Sequence, residues 1–117
     1  MNKLIETILA NFTVDEKPVA VAYMYYQGHG EPYVVYMQQD ADGSLTADDE
    51  LQGYVDYYDF DVYAKGNYHA IVDELKSILQ ANGFVWQPSR SSMDMFEVDT
   101  GYYHKTLNFA YLRSEDN

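Results

Sequence analysis

The chain has 117 residues, a formal net charge of -12 and a pI near 4.3, with 47% hydrophobic residues and no cysteine. That length suits one compact domain burying roughly two thirds of its unfolded surface, and the apolar share excludes global disorder, which needs low hydrophobicity together with high charge. The acidic balance excludes sequence-specific nucleic-acid binding through a basic patch, and without cysteine there is neither a disulfide framework nor a thiolate metal site.

The apolar steps of MNKLIETILANF are interrupted by Glu6, Thr7 and Asn11, unlike the continuous stretch of a signal peptide or membrane span, so no membrane partner and no secretion by that route are expected. Without secretion, the sequon Asn11-Phe12-Thr13 has no consequence. Leu4, Ile5, Ile8, Leu9 and Phe12 recur at helical spacing and predict an amphipathic helix over 2–12. After the polar break at 13–18, runs rich in valine and tyrosine at 19–27 and 33–39 predict two strands. Their linker, Gly28-His29-Gly30-Glu31-Pro32, supplies the turn residues of a hairpin.

Residues 40–51, DADGSLTADDEL, are acidic and without periodicity, which predicts an exposed loop. Strand character resumes over 54–65, with Tyr58, Phe60, Val62 and Ala64 facing inward and Tyr57, Asp59, Asp61 and Tyr63 outward. Asn67 as N-cap and Gly83 as stop bracket a second helix whose apolar stripe is Ile71, Val72, Leu75, Ile78 and Leu79. Strands follow at 84–87, 93–98 and 102–112, the last placing Tyr103, Leu107, Phe109 and Tyr111 on one face. The order predicts a single α+β domain over 1–117: an antiparallel or mixed sheet with two helices packed on one face.

No arrangement of residues indicates catalysis or a cofactor. Counting a calcium loop from Asp40 puts Leu45 and Leu51 where glycine and the bidentate glutamate belong. Asp56, Asp59 and Asp61 invite a paired-carboxylate reading, but the alternation is equally that of the solvated face of an antiparallel sheet. His29, His69 and His104 lie in three different elements with no metal-ligand spacing. Neither a phosphate loop nor a nucleophile elbow is present.

Four stretches carry a resemblance: Asp61-Val62-Tyr63-Ala64-Lys65-Gly66-Asn67 leading into a helix, then Gly83-Phe84, then Asp99-Thr100-Gly101-Tyr102-Tyr103-His104-Lys105-Thr106-Leu107-Asn108-Phe109, and Pro32-Tyr33-Val34-Val35-Tyr36 as an early strand. Together they resemble the tail-terminator or tail-completion proteins of long-tailed bacteriophages and prophages. The resemblance implies a non-enzymatic virion protein without cofactor or metal. Such a protein forms a ring, usually a hexamer, that caps the tail tube and meets the head connector. It assembles in the bacterial host cytoplasm and resides in the virion tail or neck. Head-closure subunits are the neighbouring alternative. A second alternative, from the charge alone, is an acidic mimic of DNA that inhibits a host nucleic-acid-binding enzyme.

Interface cores are depleted of Asp and Glu and enriched in Tyr. Tyr23, Tyr25, Tyr57 and Tyr58 are therefore the candidate contact residues, and Asp40, Asp42, Asp48, Asp49 and Glu50 form a loop expected to order against a neighbour.

Overall fold

The computed structural model describes residues 2–24, 26, 32–47, 50–66 and 68–114, with side chains described for these except at 2, 40–54, 113 and 114. Helix α1 (Asn2–Ile8) leads to a small hairpin of β1 (Thr13–Val14) and β2 (Lys17–Pro18). Then come β3 (Ala20–Tyr23), β4 (Tyr33–Ala47), β5 (Glu50–Ala64), α2 (Tyr68–Ala81), β6 (Phe84–Trp86), β7 (Met95–Glu97) and β8 (Tyr102–Ser114). The main sheet has the order β3-β4-β5-β8-β6, with β7 also paired to β8. It is mixed, because β3 runs parallel to β4 while the other pairs are antiparallel. This is the α+β architecture expected.

The inward alternation of β5 builds the core. Tyr58, Phe60, Val62 and Ala64 are at most 1% exposed, and the register sets Phe60 between Tyr36 and Leu107 and Val62 opposite Val34. Onto this face α2 lays Ile71, Val72, Leu75 and Leu79, while Ile5 from α1 and Leu9 from the turn after it join the same cluster. The phenyl ring of Phe60 meets Phe84 and Phe109 edge-on at 6.3 and 5.8 Å, the arrangement that aromatic quadrupoles favour. Gly83, at φ 91°, ends α2 in the left-handed region, where a side chain would be strained.

Four expectations change. The first helix stops at Ile8, and the chain turns through Asn11 at φ 59° so that Phe12 still reaches the core. The two early strands do not form a hairpin: β3 lies parallel to β4, with Ala20 opposite Tyr33 and Tyr23 opposite Tyr36. Met24, at φ 66°, ends β3 while its N–H still donates to the Tyr36 carbonyl at 2.8 Å. The segment at 40–51 is not a loop, because β4 runs to Ala47 and β5 starts at Glu50, with Ala47 opposite Glu50. Three register shifts, at Gln38/Asp40, Asp42/Leu45 and Leu45/Thr46, break the alternation there, so the strand carries no period of two for a pattern to reveal. Asp48 and Asp49 lie outside the described residues, as does Asn67. Lastly, the strand expected at 93–98 contracts to β7.

A 3-10 turn at Pro88–Arg90 carries the chain away from β8 between β6 and β7. The gap is closed by the Gln87 and Ser92 N–H groups, which donate to the Asn108 and Thr106 carbonyls, and by two side chains. Ser91 Oγ accepts from the Asn108 N–H at 2.9 Å and Ser92 Oγ from the Thr106 N–H at 2.8 Å, so two hydroxyls replace the carbonyls of a missing strand.

The radius of gyration is 15.3 Å and the longest dimension 52 Å, against about 13 Å for the radius of a compact chain of this length. The fifteen residues of β4 or β5 span about 50 Å at the usual rise, and the fourteen of α2 only about 21 Å. The sheet therefore outruns its helices. Its distal part is an arm of β4, β5 and β8, in which Gly53 pairs with Ser114.

Leu75 is 0% exposed at the centre of the helix–sheet contact. Leu75→Ala should cost about 2–5 kcal/mol in a denaturant titration; a loss below about half a kcal/mol would contradict this packing.

Candidate functional site

The opposite face of the sheet has a different composition. Its residues are the odd positions of β4 as far as Met37, the odd positions of β5 and the even positions of β8, and the register aligns them in rows: Tyr33, Tyr63 and His104; Val35, Asp61 and Thr106; Met37, Asp59 and Asn108. Among the described residues both helices place their buried side chains in the cluster on the other side.

The first row is a stack of rings. Tyr26 lies on Tyr33 at 4.5 Å, Tyr33 on Tyr63 at 4.7 Å, and Tyr63 on His104 at 4.2 Å, with interplanar angles of 21°, 18° and 12°. Tyr102 meets Tyr33 and Tyr63 edge-on, and Lys65 Nζ sits 5.3 Å from the Tyr102 ring centre. Stacked face to face across three strands, the rings cover one another and turn their edges outward, a preorganised surface that loses little entropy on contact.

The next two rows hold carboxylates engaged within the sheet. Thr106 Oγ1 donates to Asp61 Oδ1 at 2.6 Å, and Asn108 Nδ2 donates to Asp59 Oδ1 at 2.7 Å. His104 Nε2 lies 3.8 Å from the same Asp61 oxygen. Asp56 does not join them: it belongs to the helix-side face and is only 3% exposed. The three aspartates therefore do not converge on a common point. Among the described residues no group of three His, Cys, Asp or Glu side chains could hold a metal ion, and no helix is long and apolar enough to cross a membrane.

The expected contact residues separate. Tyr57 lies on the open face with the Arg90 guanidinium 3.8 Å above its ring. Tyr23 is 43% exposed but belongs to the helix-side face at the β3 edge, its ring 5.3 Å from that of Tyr36. Tyr58 is corrected outright, because at 1% exposure and edge-on to Phe84 it is a core residue. Its parity with Phe60 and Val62 draws it inward. Tyr25 lies outside the described residues, and Asp40, Asp42 and Glu50 stand in the arm, not in a loop. Reading the sequence missed Tyr26, Tyr33, Tyr102 and His104 as members of one surface, since only the cross-strand register joins them.

A second exposed surface lies at the β7 edge, where Met93, Met95, Phe96, Val98 and Tyr103 are each at least 40% exposed. Tyr103 stacks on Tyr68 at 5.5 Å. Asp94 ties this edge to the helix, accepting from the Tyr68 hydroxyl and from Lys105 Nζ, each at 3.1 Å. The Lys105 hydrogen bond, then that of Tyr68, holds the Asp94 carboxyl below its usual range.

Burial, and after it the charges of Asp61, Tyr33 and Glu97, pushes the Tyr63 hydroxyl up to about 12. Burial likewise raises Tyr33, with Tyr102 next. The folded state thus keeps protons that the unfolded chain releases near 10.0, so stability is lost as the pH rises from there towards 12. Tyr63→Phe should make the alkaline loss shallower in denaturant titrations and remove one late-ionising phenol from the absorbance titration. An unchanged alkaline limb would contradict this environment for Tyr63.

No protein-family model matches the chain, and no curated protein matches it in sequence.

Proposed function

We propose that this chain is a structural subunit of a phage or prophage tail, which assembles with copies of itself into a ring that caps the tail tube and joins it to the head connector. The observation that carries this reading is the arm: a sheet about 50 Å long on a domain whose longer helix covers less than half of it. Backbone extended beyond the core stabilises that core little, and its length suits reaching a neighbour. The resemblance at 61–67, 83–84 and 99–109 supports the same reading. So does the separation of Tyr23 from Tyr57, because a ring forms through heterologous contacts that use two different surfaces of each subunit. The DNA-mimic alternative gains nothing from the open face, where Asp59 and Asp61 hold hydrogen bonds inside the sheet.

Electrostatics sets the conditions of assembly. Each subunit carries -12, so added neighbours raise the repulsion, and carboxylates buried between like subunits would also lose hydration. Contacts are therefore made through tyrosine-bearing and apolar surfaces, with acidic side chains turned to the lumen and rim.

Sedimentation velocity with electron microscopy tests the ring directly. Ring-sized particles should become more abundant with added salt, which screens repulsion over about 10 Å at 0.1 M. Rings that dissociate as salt rises would mean that ion pairs hold the contact. Replacing 43–54 by Asn-Gly, a two-residue hairpin turn, should preserve cooperative unfolding of the core and abolish the ring. A shortened chain that assembles normally would remove the arm from the mechanism.

A further inference from the structure

At the edge of the sheet formed by β3 there is a groove of about 510 Å³ between that strand and the α1–β2 region. Leu9, Phe12, Val19 and Val21 make its apolar wall. Tyr36 forms part of its lining and is only 1% exposed, yet its hydroxyl has no hydrogen-bond partner among the described residues. A buried hydroxyl without a partner has given up hydration for nothing in return. Among the described residues Glu6 is the one charged residue of the lining, and its charge raises the Tyr36 hydroxyl after burial does so, so the two groups share one environment. Among the described residues β3 has a strand partner on one side only.

We infer that this groove receives an extended, basic segment of a different protein, which adds a strand to β3, sets an apolar side chain against Phe12 and Val21, and presents a lysine or arginine to Glu6. Three observations converge on that occupant. A free strand edge recognises extended backbone. The apolar wall takes alternate side chains of such a strand. An acidic lining residue on a chain of net charge -12 selects a cation and disfavours a second copy carrying the same charge. The unpartnered Tyr36 hydroxyl gains a polar partner when the groove is filled. The groove would bind such a segment whether or not the chain forms rings.

The probe is a short peptide alternating valine and lysine, compared with its valine–glutamate counterpart, added to the full-length chain and followed by amide chemical-shift perturbation and anisotropy. The lysine peptide should bind, with shifts concentrated at residues 20–23 and around Glu6, and the glutamate peptide should not. Glu6→Gln, on the exposed side of α1, should weaken the lysine peptide about tenfold, the worth of one charge-assisted hydrogen bond. Tyr36→Phe should weaken binding while leaving thermal stability equal or higher, which separates loss of a ligand contact from loss of fold. Equal binding of the two peptides, indifference to both substitutions, or shifts mapping to another surface would overturn the proposal. So would a Glu6→Gln chain whose self-association falls in sedimentation, because the groove would then be occupied by a second copy.

Discussion

The pairing of β5 on both sides determines where the other side chains lie. With β4 and β8 aligned antiparallel along it, each residue of β5 is committed to one face, and its cross-strand neighbours are committed with it. A slip of one residue would bury Asp59, Asp61 and Tyr63 and expose Phe60 and Val62. That penalty is what keeps the register single. The helices then have one apolar surface to cover, and α1 and α2 cover it together.

The same commitment produces two surfaces of different chemistry. On the helix side, burial is mostly apolar, and Phe60 meets Phe84 and Phe109 edge-on. On the open side, polar groups survive by pairing across strands, with Asp59 held by Asn108 and Asp61 by Thr106, while Tyr33 and Tyr63 stack on each other in the row beside Asp61. An acidic chain of this size gains from that arrangement, because carboxylates with donors beside them are less exposed to mutual repulsion. The sheet margins differ again. On the β8 side, Ser91 and Ser92 close the interruption between β6 and β7, whereas β3 keeps an outer edge without a strand partner among the described residues. Unequal edges favour different partners on the two sides.

Helix α2 and the faces of β5 were legible in the chain alone, because burial on one side imposes a period that residue types display: Ile71, Val72, Leu75 and Leu79 at helical spacing, and Tyr58, Phe60, Val62 and Ala64 at every second position. The hydrophobic faces, the α+β class and the second helix with its glycine stop are local consequences of composition and spacing. The arm was not legible, since three register shifts erase its alternation. The parallel course of β3 was hidden by a linker with good hairpin residues and by Met24 in a backbone region its type rarely adopts. Tyr58 was assigned to the surface by its residue type and to the core by its parity, and parity prevailed because Phe60 and Val62 cannot be buried without it. The tyrosine stack, the pairing of Asp59 with Asn108 and the groove containing Glu6 and Tyr36 join residues far apart in the chain. Only the tertiary structure decided these, because cross-strand register and edge exposure are properties of strands already paired.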